Sequence, residues 1–286
     1  MILVKTIHQL QTILQYFRKN NQSIGFVPTM GALHEGHISL VNTSRRQTGI
    51  TICSIFVNPT QFNSKTDFEK YPITIDDDIN LLESAGCDVL FMPAVTEMYP
   101  AGEAAVHFEL GFIETILEGK FRPGHFQGVC RIVDKLLAAV QPDALFMGQK
   151  DYQQCMVISR LLATRHQQVK LQVEETVREP DGLAMSSRNM RLDKSEREKA
   201  GHIIKALRTM KANLQPGDLS GLKANGEQYL KENGFEVDYI EIADSSTLEP
   251  VNTWNGKQQL VALVAAFVNE VRLIDNLLLT APTADN

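Results

Sequence analysis

No apolar run in this chain is long enough to cross a bilayer. The longest, LVALVAAFV at 260–268, falls far short of the roughly 20 residues that a spanning helix needs. No C-x-x-C pair occurs. The four cysteines, Cys53, Cys87, Cys130 and Cys155, are scattered singly and read as buried apolar residues in a reducing compartment. No two glycines are separated by a single residue, which removes the dinucleotide-binding fingerprint. Basic charge is not in excess: the formal net charge is -6, against a broad nucleic-acid footprint. The opening stretch MILVKTIHQLQTILQYFRKN has no long apolar core and no small-residue cleavage site, so it does not read as a signal peptide. A cytoplasmic protein with no membrane and no nucleic-acid partner is expected.

What is present is ordinary in bulk and specific in pattern. The 286 residues are 43% hydrophobic and 22% charged, which suits a globular enzyme with one large domain and a smaller one. Ile7, Leu10, Ile13, Leu14 and Phe17 mark an amphipathic first helix. IGFV then reads as a buried strand ended by Pro28, followed by a helix whose core face is Ile38, Leu40 and Val41. ITICSIFVN, CDVLFMP, DALFMG and VKLQVEET read as further strands. DDDINLLESAG, GVCRIVDKLLAAV and DYQQCMVISRLLATR read as the helices between them. Repeated strand–helix units with near-continuous apolar strands predict an α/β fold: a Rossmann-like parallel sheet with helices on both faces. After Val177 the pattern changes. FEVDYIEIAD and QLVALVAAFV are two strands close together, and residues 178–286 are read as a smaller C-terminal α+β domain following a first domain of 1–177.

PTMGALHEGH, residues 28–37, carries the first chemical signal. HEGH is one residue short of the zincin H-E-x-x-H, and no Cys or His cluster stands ready as a third ligand. Gly31 and Gly36 have P-loop spacing, but His37 and Ile38 stand where Lys and Ser/Thr belong. A phosphate site survives these eliminations. The histidines fall between a strand end and a helix start, where backbone N–H groups and the helix dipole favour anions. From the tetrapeptide alone, a pair of solvated surface histidines stands equally open. GQKD (148–151) follows another strand and places Lys150 at the same sheet edge, as a phosphate anchor or a surface charge. MSSRN (185–189) offers two hydroxyls and a guanidinium, as a pyrophosphate clamp or a Ser-rich turn.

These strings together carry a resemblance. HEGH resembles the H-x-G-H signature of the nucleotidyltransferase and class I aminoacyl-tRNA synthetase superfamily, and MSSRN its second signature. FVPTMGALHEGH, SIFVNPTQF, GQKDYQQ, REPDGLAMSSRN and RLIDN, in that order, resemble the pantothenate synthetase (pantoate–β-alanine ligase) family from the first strand to near the end of the chain. The resemblance implies ATP-dependent ligation of pantoate and β-alanine to pantothenate, a coenzyme A precursor, through a pantoyl adenylate, with AMP and pyrophosphate released.

It also implies roles. Met30, Gly31, Ala32, Leu33, His34, Glu35, Gly36 and His37 match the family's first ATP-contacting segment. Gly148, Gln149, Lys150 and Asp151, then Val177, then Met185, Ser186, Ser187 and Arg188 match the others. His37, as the family's usual proton donor, His34, Lys150 and Arg188 are the implied catalytic set. Gln61 and Gln154 match the pantoate-binding glutamines, and Gln61 also lies toward β-alanine. Asn58 and Tyr71 are secondary candidates for that pocket, and Arg122 and His125 for its wall. Mg2+ is expected with ATP, and Asp77 and Asp78 match acidic positions near the family's metal site, though the same charges suit a helix N-terminus. The resemblance further implies a homodimer with a C-terminal lid domain; ITICSIFV is one apolar segment for such an interface, or a core strand. Another nucleotidyltransferase, a synthetase fragment and a catalytically silent nucleotide-binding module are the competing readings.

Overall fold

The computed structural model describes residues 1–104 and 106–280. By its contacts the chain divides into two units, Met1–Val177 and the remainder from Arg178 onward.

The first unit is a six-stranded parallel sheet. Its strands are β1 (Ile2–Val4), β2 (Ile24–Thr29), β3 (Ile50–Ile55), β4 (Val89–Phe91), β5 (Ala144–Gly148) and β6 (Lys170–Glu174), in the spatial order β1-β4-β3-β2-β5-β6. The helices are α1 (Ile7–Lys19), α2 (Glu35–Gln47), α3 (Lys65–Glu69), α4 (Ile75–Ser84), α5 (Val95–Met98), α6 (Leu117–Phe121), α7 (His125–Val140) and α8 (Tyr152–Arg165). They lie on both faces of the sheet. Leu10 and Leu14 of α1, Val129 and Val133 of α7 and Ile158 of α8 share one core with Phe26 and Ile52. Val41 of α2 and Leu82 of α4 share another with Val27, Cys53 and Phe146. The alternating apolar strands and amphipathic helices predict this architecture, and the structure has it.

Three details sharpen or correct the sequence reading. The chain opens on a strand, not a helix: β1 is only three residues long, too short for a periodicity, and exists by pairing with β4. β3 lies between β4 and β2 with every residue buried, so ITICSI is a core strand, the second of the two readings. Pro28 does not end its strand, because β2 continues to Thr29. Along β2, Ser23 and Thr29 bond toward β3, while Ile24 bonds toward β5. Alternation puts Pro28 on the β5 side, where pairing has already ended after Phe26. Its missing N–H therefore breaks no ladder bond, and β2 and β5 are left to separate at their carboxyl ends.

That separation falls at the topological switch point. The chain leaves β2 toward β3 on one side and leaves β5 toward β6 on the other. Ligands of open parallel sheets bind in such a crevice, outside the carboxyl ends of the strands.

The second unit contains α9 (Lys194–Ala200), α10 (His202–Ala212), β7 (Gly217–Asp218), α11 (Ser220–Glu232), β8 (Glu236–Asp244), β9 (Thr253–Trp254), β10 (Leu260–Val268) and β11 (Val271–Leu278). β10 pairs antiparallel with β8 and β11, and β7 with β9. The sequence reading identifies β8 and β10. It passes over β11, whose Arg272, Asp275 and Asn276 interrupt its apolar positions. Residues 281–286 of the expected second domain lie outside the described residues.

Candidate active site

The loop after β2 delivers HEGH to the switch-point crevice. His34 is the N-cap of α2, in extended backbone, and uses its ring as the cap: Gly36 N donates to His34 Nδ1 at 3.2 Å. His34 N in turn donates to His37 Nδ1 at 3.3 Å. A backbone amide can only donate, so both Nδ1 atoms must carry lone pairs. Both rings are then neutral and present Nε2–H as a donor. Their centroids are 4.0 Å apart. Burial, assisted by the Lys150 charge, pushes His34 down to about 4. Burial, then His34 and Lys150, hold His37 well below the usual imidazole range.

Several backbone amides of this loop already have acceptors within the protein. Gly31 N donates to Thr29 Oγ1 at 3.2 Å. Ala32 N and Leu33 N donate to Asp78 Oδ2 and Oδ1 at 2.9 and 2.7 Å. The amides of His34 and Gly36 are also engaged within the protein. Glu35 is exposed in the first turn of α2, where its charge suits the helix dipole.

GQKD ends β5 on the other side of the crevice. Gln149–Asp151 form a 3-10 turn leading into α8. Lys150 is partly buried, 3.5 Å from Asp151, and its charge bears on both imidazoles. His34, His37, Lys150 and Asp151 are thus brought together. Met30, on the same loop, accepts at Sδ from Gln61 Nε2 at 3.1 Å.

NPTQF is held by a hydrogen-bond chain that sequence reasoning misses. Asn58, 1% exposed, accepts at Oδ1 from Thr60 N at 3.3 Å, Thr60 Oγ1 at 3.0 Å and Tyr99 Oη at 2.7 Å. Its Nδ2 donates to Gly128 O at 3.1 Å and to Gln61 Oε1 at 3.0 Å. Below this, His125 Nδ1 donates to Gln61 O at 2.8 Å, and its Nε2 accepts from Arg122 Nη1 at 3.2 Å. Burial and the Arg122 charge push His125 down to about 4, so this ring is neutral as the opposite tautomer. Gly128 makes the arrangement possible: a Cβ there would lie 2.2 Å from Thr60 O. Tyr71 is buried, its ring edge-on to Phe62.

The two glutamines of DYQQ differ in burial. Gln153 is buried, donating to Ile113 O and Ile116 O at 2.7 and 2.9 Å and accepting from Glu118 N at 3.0 Å. Gln154 is half-buried on α8.

In the second unit, Ser186 Oγ accepts from Arg188 N at 3.2 Å, and Asn189 Nδ2 donates to Ala184 O at 3.1 Å. Ser187 is buried, while Met185 and Arg188 are half-buried. Val177 ends the first unit.

Asp77 and Asp78 do not fit a direct metal site. Asp78 is 1% exposed, and its two oxygens are engaged by Ala32 N, Leu33 N and Thr74 Oγ1. Asp77 sits on an exposed face of α4. Among the described residues no group of three or more His, Cys, Asp or Glu could hold a metal ion. A magnesium ion carried by nucleotide phosphates and water does not require such a group.

Comparison with known proteins points to one family. The family model for pantoate-beta-alanine ligase matches residues 2–278. The pantothenate synthetase of Bacteroides thetaiotaomicron is 43% identical over 278 residues, spanning 97% of this chain and 98% of the relative. That of Cytophaga hutchinsonii is 42% identical over 282 residues, spanning 98% and 99%. Among solved structures, a pantothenate synthetase from Thermus thermophilus superposes with a TM-score of 0.91 at 40% identity, over 98% of this chain and 100% of the other. A pantoate-beta-alanine ligase from Francisella tularensis, complexed with beta-gamma ATP and beta-alanine, does so at 0.82 and 38%, over 99% and 100%.

Proposed function

Because the chain belongs to the pantoate–β-alanine ligase family, we propose that it joins pantoate to β-alanine in two steps, through a pantoyl adenylate. In the first, a pantoate carboxylate oxygen attacks the α-phosphorus of ATP, the bond to the bridging oxygen breaks, and pyrophosphate leaves. In the second, the β-alanine amine attacks the acyl carbon, the bond to the AMP phosphate oxygen breaks, and the amine gives up a proton. Neither step requires a nucleophilic side chain. The first requires alignment and donors aimed at growing negative charge.

The observation that carries this reading is the pair of neutral imidazoles at the switch point, each presenting Nε2–H beside Lys150. A neutral donor stabilises phosphate charge without itself needing a proton at neutral pH. His37 is assigned as the donor to the reacting phosphate, with His34 beside it and Lys150 as a point charge. Met30–His37, Gly148–Asp151, Val177 and, from the second unit, Met185–Arg188 are assigned to ATP. That unit is read as a lid. Gln61 and Gln154 are assigned to pantoate, and Gln61 also to β-alanine. Magnesium is expected to arrive on the nucleotide. The remaining partner is a second copy of the chain, which sedimentation at micromolar concentration checks.

The test splits the reaction. Pantoate-dependent exchange of labelled pyrophosphate into ATP, without β-alanine, reports the first step; preformed pantoyl adenylate with β-alanine reports the second. His37→Ala is expected to lower exchange on the order of 100- to 1000-fold and the second step far less. Exchange that needs no pantoate, or that runs with a nucleotide monophosphate instead, overturns the assignment.

A further inference from the structure

We propose that Asp78 is a positioning residue for adenylation: its carboxylate fills the amide nest of the loop after β2 from the protein side and so aims the two histidines. The inference rests on the adenylation reading above.

The loop backbone turns through two left-handed residues, Gly31 at φ +81° and Ala32 at φ +48°. A non-glycine residue in that region is strained and persists only where its surroundings over-determine it. Successive amides in such a turn converge into a concavity that favours an anion. Here the anion is internal. Ala32 N and Leu33 N meet the two oxygens of one carboxylate at 2.9 and 2.7 Å, and Thr74 Oγ1 donates to Oδ1 at 3.1 Å. Hydrogen bonds to an ionised acceptor are about twice as strong as neutral ones, which suits them to holding strained backbone.

Gly31 completes the fit. A Cβ there would lie 3.0 Å from Asp78 Oδ2 and 3.1 Å from Ile55 Cγ2, so the carboxylate closes directly against the loop. The restraint then passes straight to the chemistry. Leu33, held by Asp78, precedes His34, whose own amide is bonded to His37 Nδ1 and whose ring caps α2. A shift at residues 32–33 therefore rotates the cap and both Nε2–H vectors. Misplacement of about 1 Å in such a constellation costs on the order of 100-fold in rate.

Asp78→Asn is isosteric but offers one acceptor to two amides and sets its NH2 against the other. In the full-length protein it is expected to lower pantoate-dependent pyrophosphate exchange on the order of 100-fold at saturating substrates. The half-saturating magnesium concentration and the rate from preformed adenylate are expected to stay near wild type. A loss rescued by added magnesium identifies a metal ligand and overturns the proposal. So does a lowered Tm with unchanged exchange per folded molecule. Thr74→Val, which removes only the hydroxyl donor, is the second variant if Asp78→Asn does not fold: a milder loss confined to exchange supports the proposal, and wild-type exchange overturns it. The wild-type enzyme in the same assay separates the two ideas, since absence of exchange there refutes the adenylation reading itself.

Discussion

Asn58 Nδ2 donates to Gln61 Oε1 at 3.0 Å, and this bond fixes which way the Gln61 amide is turned. Asn58 cannot flip, because Thr60 N points at its Oδ1 and Gly128 O faces its Nδ2. Gln61 therefore keeps its oxygen toward Asn58, spends one N–H on Met30 Sδ and has a second to present. The sequence alone allows the glutamine to donate or accept; the fold leaves it a donor, complementary to a carboxylate or to a hydroxyl oxygen.

Gln61→Glu keeps the shape and the bond from Asn58 but replaces that donor with negative charge. The KM for pantoate is expected to rise about 10- to 100-fold, the range for losing a hydrogen bond to a charged group. The KM for ATP is expected to change little. Equal increases in both would show that Gln61 does not face pantoate.

Gly128→Ala tests how closely α7 presses on the same loop. The new Cβ would meet Thr60 O at 2.2 Å, Thr60 C at 2.6 Å and Gln61 Cα at 2.8 Å, backbone atoms that cannot swing aside. Such overpacking costs about 1–3 kcal/mol of stability. Denaturant melts are expected to show that loss, and kinetics a raised KM for pantoate as Gln61 is displaced. Wild-type values in both would mean that α7 shifts freely.

The three site histidines set a pH dependence of stability. His34 and His125 are pushed down to about 4 and His37 well below the ordinary 6.5, in each case first by burial. Between pH 6.5 and 4 the unfolded chain takes up protons that the folded one does not. Stability therefore falls as pH drops through that window and is unaffected by these groups above it. Each contributes a slope of at most about 1.4 kcal/mol per pH unit. Urea midpoints at pH 7.5, 6 and 5 check the trend, and His125→Asn is expected to flatten it. An NMR titration placing His34 near 6.5 would contradict the neutral-donor assignment.

Asp275 of the RLIDN string has its task in the second unit. It receives Arg178 in a two-pronged pair at 2.7 and 3.0 Å, while the same guanidinium reaches Gly182 O and Asn276 O. Asp275 is 3% exposed and Arg178 is partly buried, so Asp275→Ala leaves the guanidinium only Gly182 O and Asn276 O within the protein. Breaking one side of a buried pair costs about 3–5 kcal/mol. Thermal melts are expected to show a large loss, and a change within error would mean that water replaces the carboxylate.

What the sequence by itself determined is what short range encodes. Alternating apolar strands and amphipathic helices set the parallel α/β fold. HEGH could be placed between a strand end and a helix start, and GQKD after its own strand, because each stands close in sequence to the strand that carries it. The identity of the family followed from such contiguous strings. What only the tertiary structure decided is which group faces which. Asp78 reads in sequence as one of three acids at a helix start, yet its carboxylate closes on amides 45 and 46 residues away. The histidine tautomers depend on backbone donors, the orientation of Gln61 on Gly128 across 70 residues through Asn58, and the strand β1 on a partner at 89–91. A hydrogen bond depends on direction and on a few tenths of an ångström. Local hydrophobic periodicity carries neither, so those assignments exist only once the sheet has brought distant segments to one edge.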